Sequence, residues 1–293
     1  MSFLFQLSLE GVALGSLYAL VALGFVVMFK ASKVLNFAQG ELVLFGAYLA
    51  VFFLVQLGLP WWAGIAAVFV TCALLGAGVQ FLLMDRLVGK SPLALVMITI
   101  GLANVLQAVV QLMWGAENRA LPAFFPNRPL KLGGVHVQEI YVWALLCSLG
   151  LIAVSWLFFH RTWLGVGLQA VANDQVAALS MGIDVRVVLA LAWMVSAVVA
   201  AAASLLLAQI VGVNSNLTFI GLKVFPVVIL GGLESLPGTL VAGVLLGVVE
   251  TLSKGYLGRF FYTDVEVVPF ALMLAILLVR PYGLFGLTRT DRL

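Results

Sequence analysis

Side chains that serve as acids, bases or nucleophiles are few in this sequence, and they are scattered along it. His136 and His160 are the two histidines, and neither belongs to an HExxH motif or to a pair of carboxylates. Ser196 and Ser204 have no histidine or lysine nearby in the sequence, so either would need a contact with His160 in the fold to become a nucleophile. We therefore predict neither hydrolytic chemistry nor a metal centre.

A phosphate-binding loop is only partly present. Gly89-Lys90-Ser91 matches the end of that motif, but the pattern requires glycine at position 84, where the chain has Met84. No strand pattern precedes the segment either. We therefore expect that the chain is not an enzyme that hydrolyses nucleotides, and that it holds no cofactor of its own.

Polar residues stand at the start of one long apolar run. Asn36, Gln39 and Glu41 precede it directly, and Gly40 between them would permit a break in the helix. Asn36 could also accept a hydrogen bond from a backbone N–H and so cap the helix that follows. Interrupted helices in membranes expose their backbone only where they line a cavity. The segment is therefore either part of a solute path or an ordinary loop with a capped helix start.

Two further polar features lie inside or beside apolar runs. Asn104, Gln107 and Gln111 are spaced i, i+3 and i+7, so they share one helix face, which either lines a pore or bonds to a neighbouring helix. Lys223 precedes Pro226 near the end of another apolar run. Its ammonium group either pairs with a carboxylate or reaches towards the membrane surface.

The composition identifies the kind of fold that must hold these residues. Of the 293 residues, 64% are hydrophobic and 9% are charged, whereas soluble domains average about 25% charged residues. Such a chain cannot cover a water-exposed surface, and a soluble globular protein is excluded. The formal net charge of +3 gives no sign of a nucleic-acid partner. We predict an all-α, polytopic transmembrane helix bundle that forms a single domain over residues 1–293.

Charge-free stretches place the helices. A bilayer core needs about 20 apolar residues per helix, and the sequence contains nine candidate spans, with eight to ten as the acceptable range. They cover residues 11–29, 42–58, 62–84, 91–116, 140–159, 187–213, 223–233, 236–252 and 267–281. The spacings Gly11/Gly15 and Gly243/Gly247 predict close helix packing. Glycine and proline interrupt both the 36–50 region and the 221–250 region, which predicts an inverted repeat with broken or re-entrant helices.

The basic residues give the orientation. Nine Lys and Arg residues fall in loops 30–41, 85–92 and 160–186 and in the C-terminal tail, against five on the opposite side. Because Lys and Arg favour cytoplasmic loops, we expect the N-terminus outside and the C-terminus in the cytoplasm. The loop at 160–186 is then the longest polar interruption on the cytoplasmic side. Its stretch Ala170–Ser180 favours a short exposed helix ended by Gly182, either a docking site for a soluble partner or a solvated connection.

Several motifs in a fixed order resemble one family. NFAQGEL is followed by FGAYLA, then by the Gly165–Asp184 stretch that ends in A-x-x-x-G-I-D, then by K-x-F, LGG and S-x-PG. Over about residues 11–287 the chain is similar to the LivH-type permease subunit of bacterial branched-chain amino acid ABC importers. The resemblance implies a bacterial inner-membrane protein with a second, LivM-type permease, two cytoplasmic ATPases that bind the ATP, and a periplasmic substrate-binding protein.

The resemblance also implies roles for residues. The 160–186 loop would couple to an ATPase through Ala170, Ala172, Asp174, Ala178, Gly182 and Ile183. Val166 and Gln169 stand where the family often has Arg, and Glu234 stands where it often has Gly. The substrate would be a branched-chain amino acid, with urea, amides or small carboxylates as alternatives within the family. Ion-coupled secondary transport is a further alternative, although the spans contain few ionisable groups.

Overall fold

The computed structural model describes residues 2–87, 91–115, 117–126, 128–132, 135–257, 267–280 and 283–285. Within these ranges the chain forms the helices α1 (Ser2–Ser32), α2 (Gln39–Ala50), α3 (Trp61–Leu82), α4 (Pro92–Trp114), α5 (Glu139–Arg161), α6 (Trp163–Asn173), α7 (Gln175–Ser180), α8 (Val185–Val211), α9 (Leu217–Gly231), α10 (Leu236–Leu257) and α11 (Val267–Val279). A π-helical turn (Val51–Gln56) extends α2, and a 3-10 turn (Met84–Leu87) follows α3. The strands β1 (Pro129–Leu132) and β2 (Val135–Gln138) pair antiparallel.

An apolar helix lies at each of the nine predicted spans, but fewer than the predicted eight to ten are long enough to cross a membrane in the described ranges. Seven helices in the described ranges are long and apolar enough to cross a membrane, and they are α1, α2 with its π-helical turn, α3, α4, α5, α8 and α10. The two remaining apolar helices, α9 and α11, have 15 and 13 residues. At about 1.5 Å per residue each is shorter than the hydrocarbon core of about 30 Å. The prediction of an all-α, polytopic membrane bundle is confirmed.

The two glycine pairs predicted to pack closely do so against each other. α1 lies along α10, and a Cβ at Gly15 would come within 2.7 Å of the Val244 Cα. A Cβ at Gly243 would likewise come within 2.7 Å of the Gly15 carbonyl oxygen. The two backbones are therefore in direct contact, and side chains larger than hydrogen cannot be accommodated at these positions.

Gly40 has a different role from the one predicted. It lies in the first turn of α2 rather than at a helix break, and a Cβ there would come within 2.9 Å of the Gly221 Cα on α9. The break lies earlier, at residues 33–38, where Lys33 has a φ of 57°. The glycine is needed because two helices cross at this point, one from each of the two interrupted regions.

The pattern of helix contacts agrees with an inverted repeat of α1–α4 and α8–α11. In such a repeat α1 corresponds to α8, α2 to α9, α3 to α10 and α4 to α11. The α1–α10 contact then corresponds to the α8–α3 contact, α2–α8 to α9–α1, and α2–α4 to α9–α11. Each member of these pairs of contacts is present in the structure. The Gly40–Gly221 crossing joins α2 to α9, which are corresponding helices of the two halves. A two-fold axis that relates the halves would therefore pass through this crossing.

Contacts at the helix ends group the loops by side. Asp85 pairs with Arg186, which connects two loops that the sequence placed on one side. Lys33 pairs with Glu234, which adds the turn before α10 to that side. At the opposite ends of the helices, Arg119 forms a backbone bridge with Val213. The grouping of these loops is as predicted, while the side that faces the cytoplasm stays a prediction. Gly89, Lys90, Arg259, Arg289 and Arg292 lie outside the described residues.

Candidate functional site

Asn36 and Gln39 belong to a buried amide cluster that also includes Ser196. The Asn36 Nδ2 donates to the Gln39 Oε1 at 3.3 Å, and the Ser196 Oγ donates to the same oxygen at 2.9 Å. The Gln39 Nε2 donates to the Val21 carbonyl at 3.5 Å. The cluster therefore bonds the start of α2 to both α1 and α8.

The burial of this cluster bears on its predicted role in a solute path. Asn36 is 1% exposed and Gln39 is 2% exposed, so neither side chain reaches a surface of the chain in this conformation. Asn36 does accept a backbone hydrogen bond, from the Ala38 N–H at 3.0 Å, but ahead of the helix rather than as its cap. Glu41, two residues after Gln39, is also buried.

The two candidate nucleophiles have ordinary partners. Ser196 on α8 donates to Gln39, and Ser204 on the same helix donates to the Ala201 carbonyl one turn earlier. His160 bonds through Nδ1 to the Trp156 carbonyl and stacks on that indole with a centroid distance of 4.5 Å. The contact that an intramembrane nucleophile would require is not made between these residues.

Lys223 lies in a buried ion cluster that the sequence analysis missed. Its Nζ donates to the Glu250 Oε1 at 2.9 Å, and the Lys254 Nζ donates to the same oxygen at 2.7 Å. The Glu250 side chain is fully buried. Lys223 therefore pairs with a carboxylate of the protein and does not extend to the membrane surface. The i, i+4 spacing of Glu250 and Lys254 was the available sequence signal, but the partner on α9 requires the fold.

Asn104, Gln107 and Gln111 lie on an exposed face of α4. Asn104 and Gln111 are exposed, and Gln107 is half-buried. The Asn104 Nδ2 donates to the Ile100 carbonyl of its own helix at 2.8 Å, and within the described residues neither glutamine side chain forms a hydrogen bond. An amide in hydrocarbon without a partner costs about 2–7 kcal/mol. This face must therefore meet water or another protein when the chain is in a membrane.

The loop between α5 and α8 forms two short helices rather than the single predicted one. Asp174 ends α6 and caps α7, since its Oδ1 accepts from the Val176 and Ala177 N–H groups at 2.8 and 3.0 Å. Gly182 follows with a φ of +79°, and the Ile183 N–H closes the end of α7 on the Ala178 carbonyl. Local hydrogen bonds therefore satisfy backbone groups at the boundary of the two helices and at the end of α7.

The side chains of this loop divide into a buried set and an exposed set. Of the predicted coupling residues, Ala172 and Ala178 are buried, Ala170 and Ile183 are intermediate, and Asp174 and Gly182 are exposed. The sequence analysis missed the large apolar side chains that extend outward from α7 and its C-cap. These form what we term the α7 knob: Val176, Leu179 and Met181, which are 73%, 58% and 82% exposed.

One predicted departure from the family pattern has a structural role. The Gln169 Nε2 donates to the Phe159 carbonyl near the end of α5 at 2.8 Å. A Cβ at Gly165 would come within 2.6 Å of the Phe159 Cα, so α6 packs directly on α5. Gln169 thus bonds α6, the helix before the α7 knob, to α5. Val166 is exposed.

Seven long apolar helices in the described ranges, joined by close glycine crossings, define a polytopic helical membrane protein. Residues 7–277 match the family model described as "Branched-chain amino acid transport system / permease component". The chain belongs to this family.

Individual relatives support the same assignment. The chain is 31% identical to the permease protein LivH of the high-affinity branched-chain amino acid transport system of Escherichia coli, over 98% of this chain and 97% of that protein. It is 29% identical to the corresponding protein BraD of Pseudomonas aeruginosa, with the same two coverages. A solved structure, PsaBC from Streptococcus pneumoniae in complex with Fab, superposes with a TM-score of 0.51 at 14% identity. The superposition covers 95% of this chain and 91% of the chain in that structure. At this identity the likeness shows the fold alone.

Proposed function

We propose that this chain is one permease subunit of a binding-protein-dependent importer for branched-chain amino acids in the bacterial inner membrane. The names of the relatives LivH and BraD support the substrate class. The complex would contain a second, LivM-type permease, two cytoplasmic ATPases and a periplasmic binding protein. Its energy would come from ATP hydrolysed by the partner subunits.

The observation that carries this proposal is the α7 knob. Val176, Leu179 and Met181 expose apolar area at the end of the bundle that is predicted to face the cytoplasm, where water would otherwise cover it. A short helix with an apolar face is a common element for insertion into a groove of a partner protein. An ATPase that binds the knob could therefore move the membrane helices when ATP binding closes the ATPase pair.

A charge on the knob should prevent assembly. We expect Leu179→Glu to reduce the ATPase that co-purifies with the permease at least about tenfold, because a buried interface anchor contributes about 2 kcal/mol or more. Gln175→Glu is the matched control, since it adds the same charge at an exposed polar position of the same helix. Normal recovery of the ATPase with Leu179→Glu, in a stable permease, would contradict the docking role.

The substrate is best tested on the periplasmic binding protein of the proposed complex. We expect that protein to bind leucine, isoleucine or valine and to support their uptake by the complete complex. Binding of urea, an amide or a small carboxylate in place of these amino acids would assign the chain to another branch of the same family.

Ion-coupled secondary transport is the alternative, and the observation that favours it is a buried carboxylate within a span, Glu41. A second buried carboxylate, Glu250, pairs with two lysines and is therefore less suited to carrying an ion. Uptake by this chain alone in proteoliposomes, driven by an ion gradient without ATPases, would decide for the alternative.

A further inference from the structure

One exposed stripe runs along the whole of α4. At about 100° per residue its members fall within an arc of about 100°, and they are Leu93, Met97, Ile100, Asn104, Gln107 and Gln111. Leu93, Met97 and Ile100 are 65%, 57% and 38% exposed. The stripe is therefore a single continuous surface rather than two unrelated groups of side chains.

The stripe changes character at the middle of the helix. From Leu93 to Ile100 it is apolar, and from Asn104 to Gln111 it carries amides. Each half is about 10 Å long at 1.5 Å per residue. The amide half lies towards Trp114, the last residue of α4, which is close to the loop predicted outside. The apolar half lies at the end of α4 that is predicted to face the cytoplasm.

The chemistry of the amide half indicates what it contacts. Lipid cannot satisfy these groups, and polar residues in membrane spans face the interior of an assembly or a water-filled path. Amides provide both donors and acceptors without net charge. They therefore suit a solute that carries one ammonium and one carboxylate group, and they provide no charge that would hold an inorganic ion tightly.

We propose that this stripe is one wall of the translocation path, with the amide half as an outward vestibule for the zwitterionic solute and the apolar half as its cytoplasmic gate. The inference rests on the proposed function, in which a second permease forms the opposite wall. An apolar constriction closes a path because water does not wet it and charged groups would lose their hydration there. The gate stays shut until α4 moves.

A connection between the α7 knob and the gate is present in the structure. Asp184 caps α8, and Arg186 in the first turn of α8 pairs with Asp85 in the 3-10 turn that precedes α4. Within α4, the Thr99 Oγ1 accepts from the Phe37 N–H at 3.3 Å and so joins the gate region to the segment between α1 and α2. Movement of the knob can therefore displace the cytoplasmic end of α4.

The gate is tested by making it polar. In proteoliposomes that contain the complete complex and are preloaded with labelled leucine, we expect Met97→Asn to raise efflux without ATP about tenfold. Val105→Asn is the matched control, since Val105 is 58% exposed on the same helix but lies about 100° away from Asn104. Unchanged efflux with Met97→Asn, or equal leakage from Val105→Asn, would overturn the gate.

The vestibule is tested separately. We expect Gln107→Leu to lower ATP-driven uptake about tenfold, with partial rescue by Gln107→Asn and with normal stimulation of the ATPases by the loaded binding protein. Full uptake with Gln107→Leu would overturn the vestibule. If the wild-type complex shows no ATP-driven leucine uptake, the proposed function fails instead, and that result is distinct from both.

Discussion

The buried amide cluster and the exposed stripe of α4 contain the same kind of side chain in two opposite settings. In the cluster, the Gln39 Oε1 accepts from both Asn36 and Ser196, and both amides are almost completely covered. In the stripe, Gln107 and Gln111 have no hydrogen-bonding partner in the described part of the chain. From the sequence alone the two groups looked alike, as polar residues beside or inside apolar runs.

The difference follows from the solvent. An amide at membrane depth must bond within the protein or face a route that admits water, because lipid tails offer it no partner. The amides of the cluster bond within the protein, and these bonds connect α1, α2 and α8. The amides of the stripe have no such bonds to other helices of the described chain, so the proposed complex, rather than the stability of this chain, would account for their polarity.

The largest effect that separates the two groups is expected at Gln39. Gln39→Leu leaves the Ser196 hydroxyl and the Asn36 amide without their shared acceptor, at about 1–3 kcal/mol for each buried group that stays unsatisfied. The melting temperature of the purified permease in detergent should therefore fall clearly, together with the yield. Gln111→Leu on the exposed stripe is the control, and an equal loss there would remove the distinction.

A smaller effect is expected at Asn36. Its side chain makes two hydrogen bonds, to the Ala38 N–H and to Gln39, so Asn36→Leu should cost about 1–2 kcal/mol. We expect less folded protein but normal transport by each folded molecule, because Asn36 is buried away from the surface. A strong loss of uptake at unchanged stability would instead support the path role that the sequence predicts for Asn36.

The sequence was informative where the signal is local. Charge-free runs predicted the apolar helices, and the spacing of Asn104, Gln107 and Gln111 predicted their common face. Helix ends were less accessible: the Asp174 N-cap divides the predicted Ala170–Ser180 helix, and an aspartate at that position was the signal for it.

Long-range pairings could not be predicted from the sequence because they depend on which helices meet. Gly40 had the pattern of a helix break, and only the packing of α2 on α9 shows that it permits a crossing at Gly221. Lys223 had two readings, and the choice depended on Glu250, which is 27 positions away. The exposure of the α7 knob likewise depends on how α6 and α7 rest on α5 and α8.

The smallest effect on stability is expected at Asn104. Within the described residues its side chain bonds only to the Ile100 carbonyl of its own helix, so Asn104→Leu should change the stability of the permease by no more than about 0.5 kcal/mol. ATP-driven uptake should nevertheless fall, since the amide at the boundary between vestibule and gate is lost. A drop in melting temperature like that of Gln39→Leu would mean that Asn104 is a packing residue, and the contrast between cluster and stripe would then fail. A normal melting temperature with reduced uptake would separate the amides that hold the bundle together from those that face the solute.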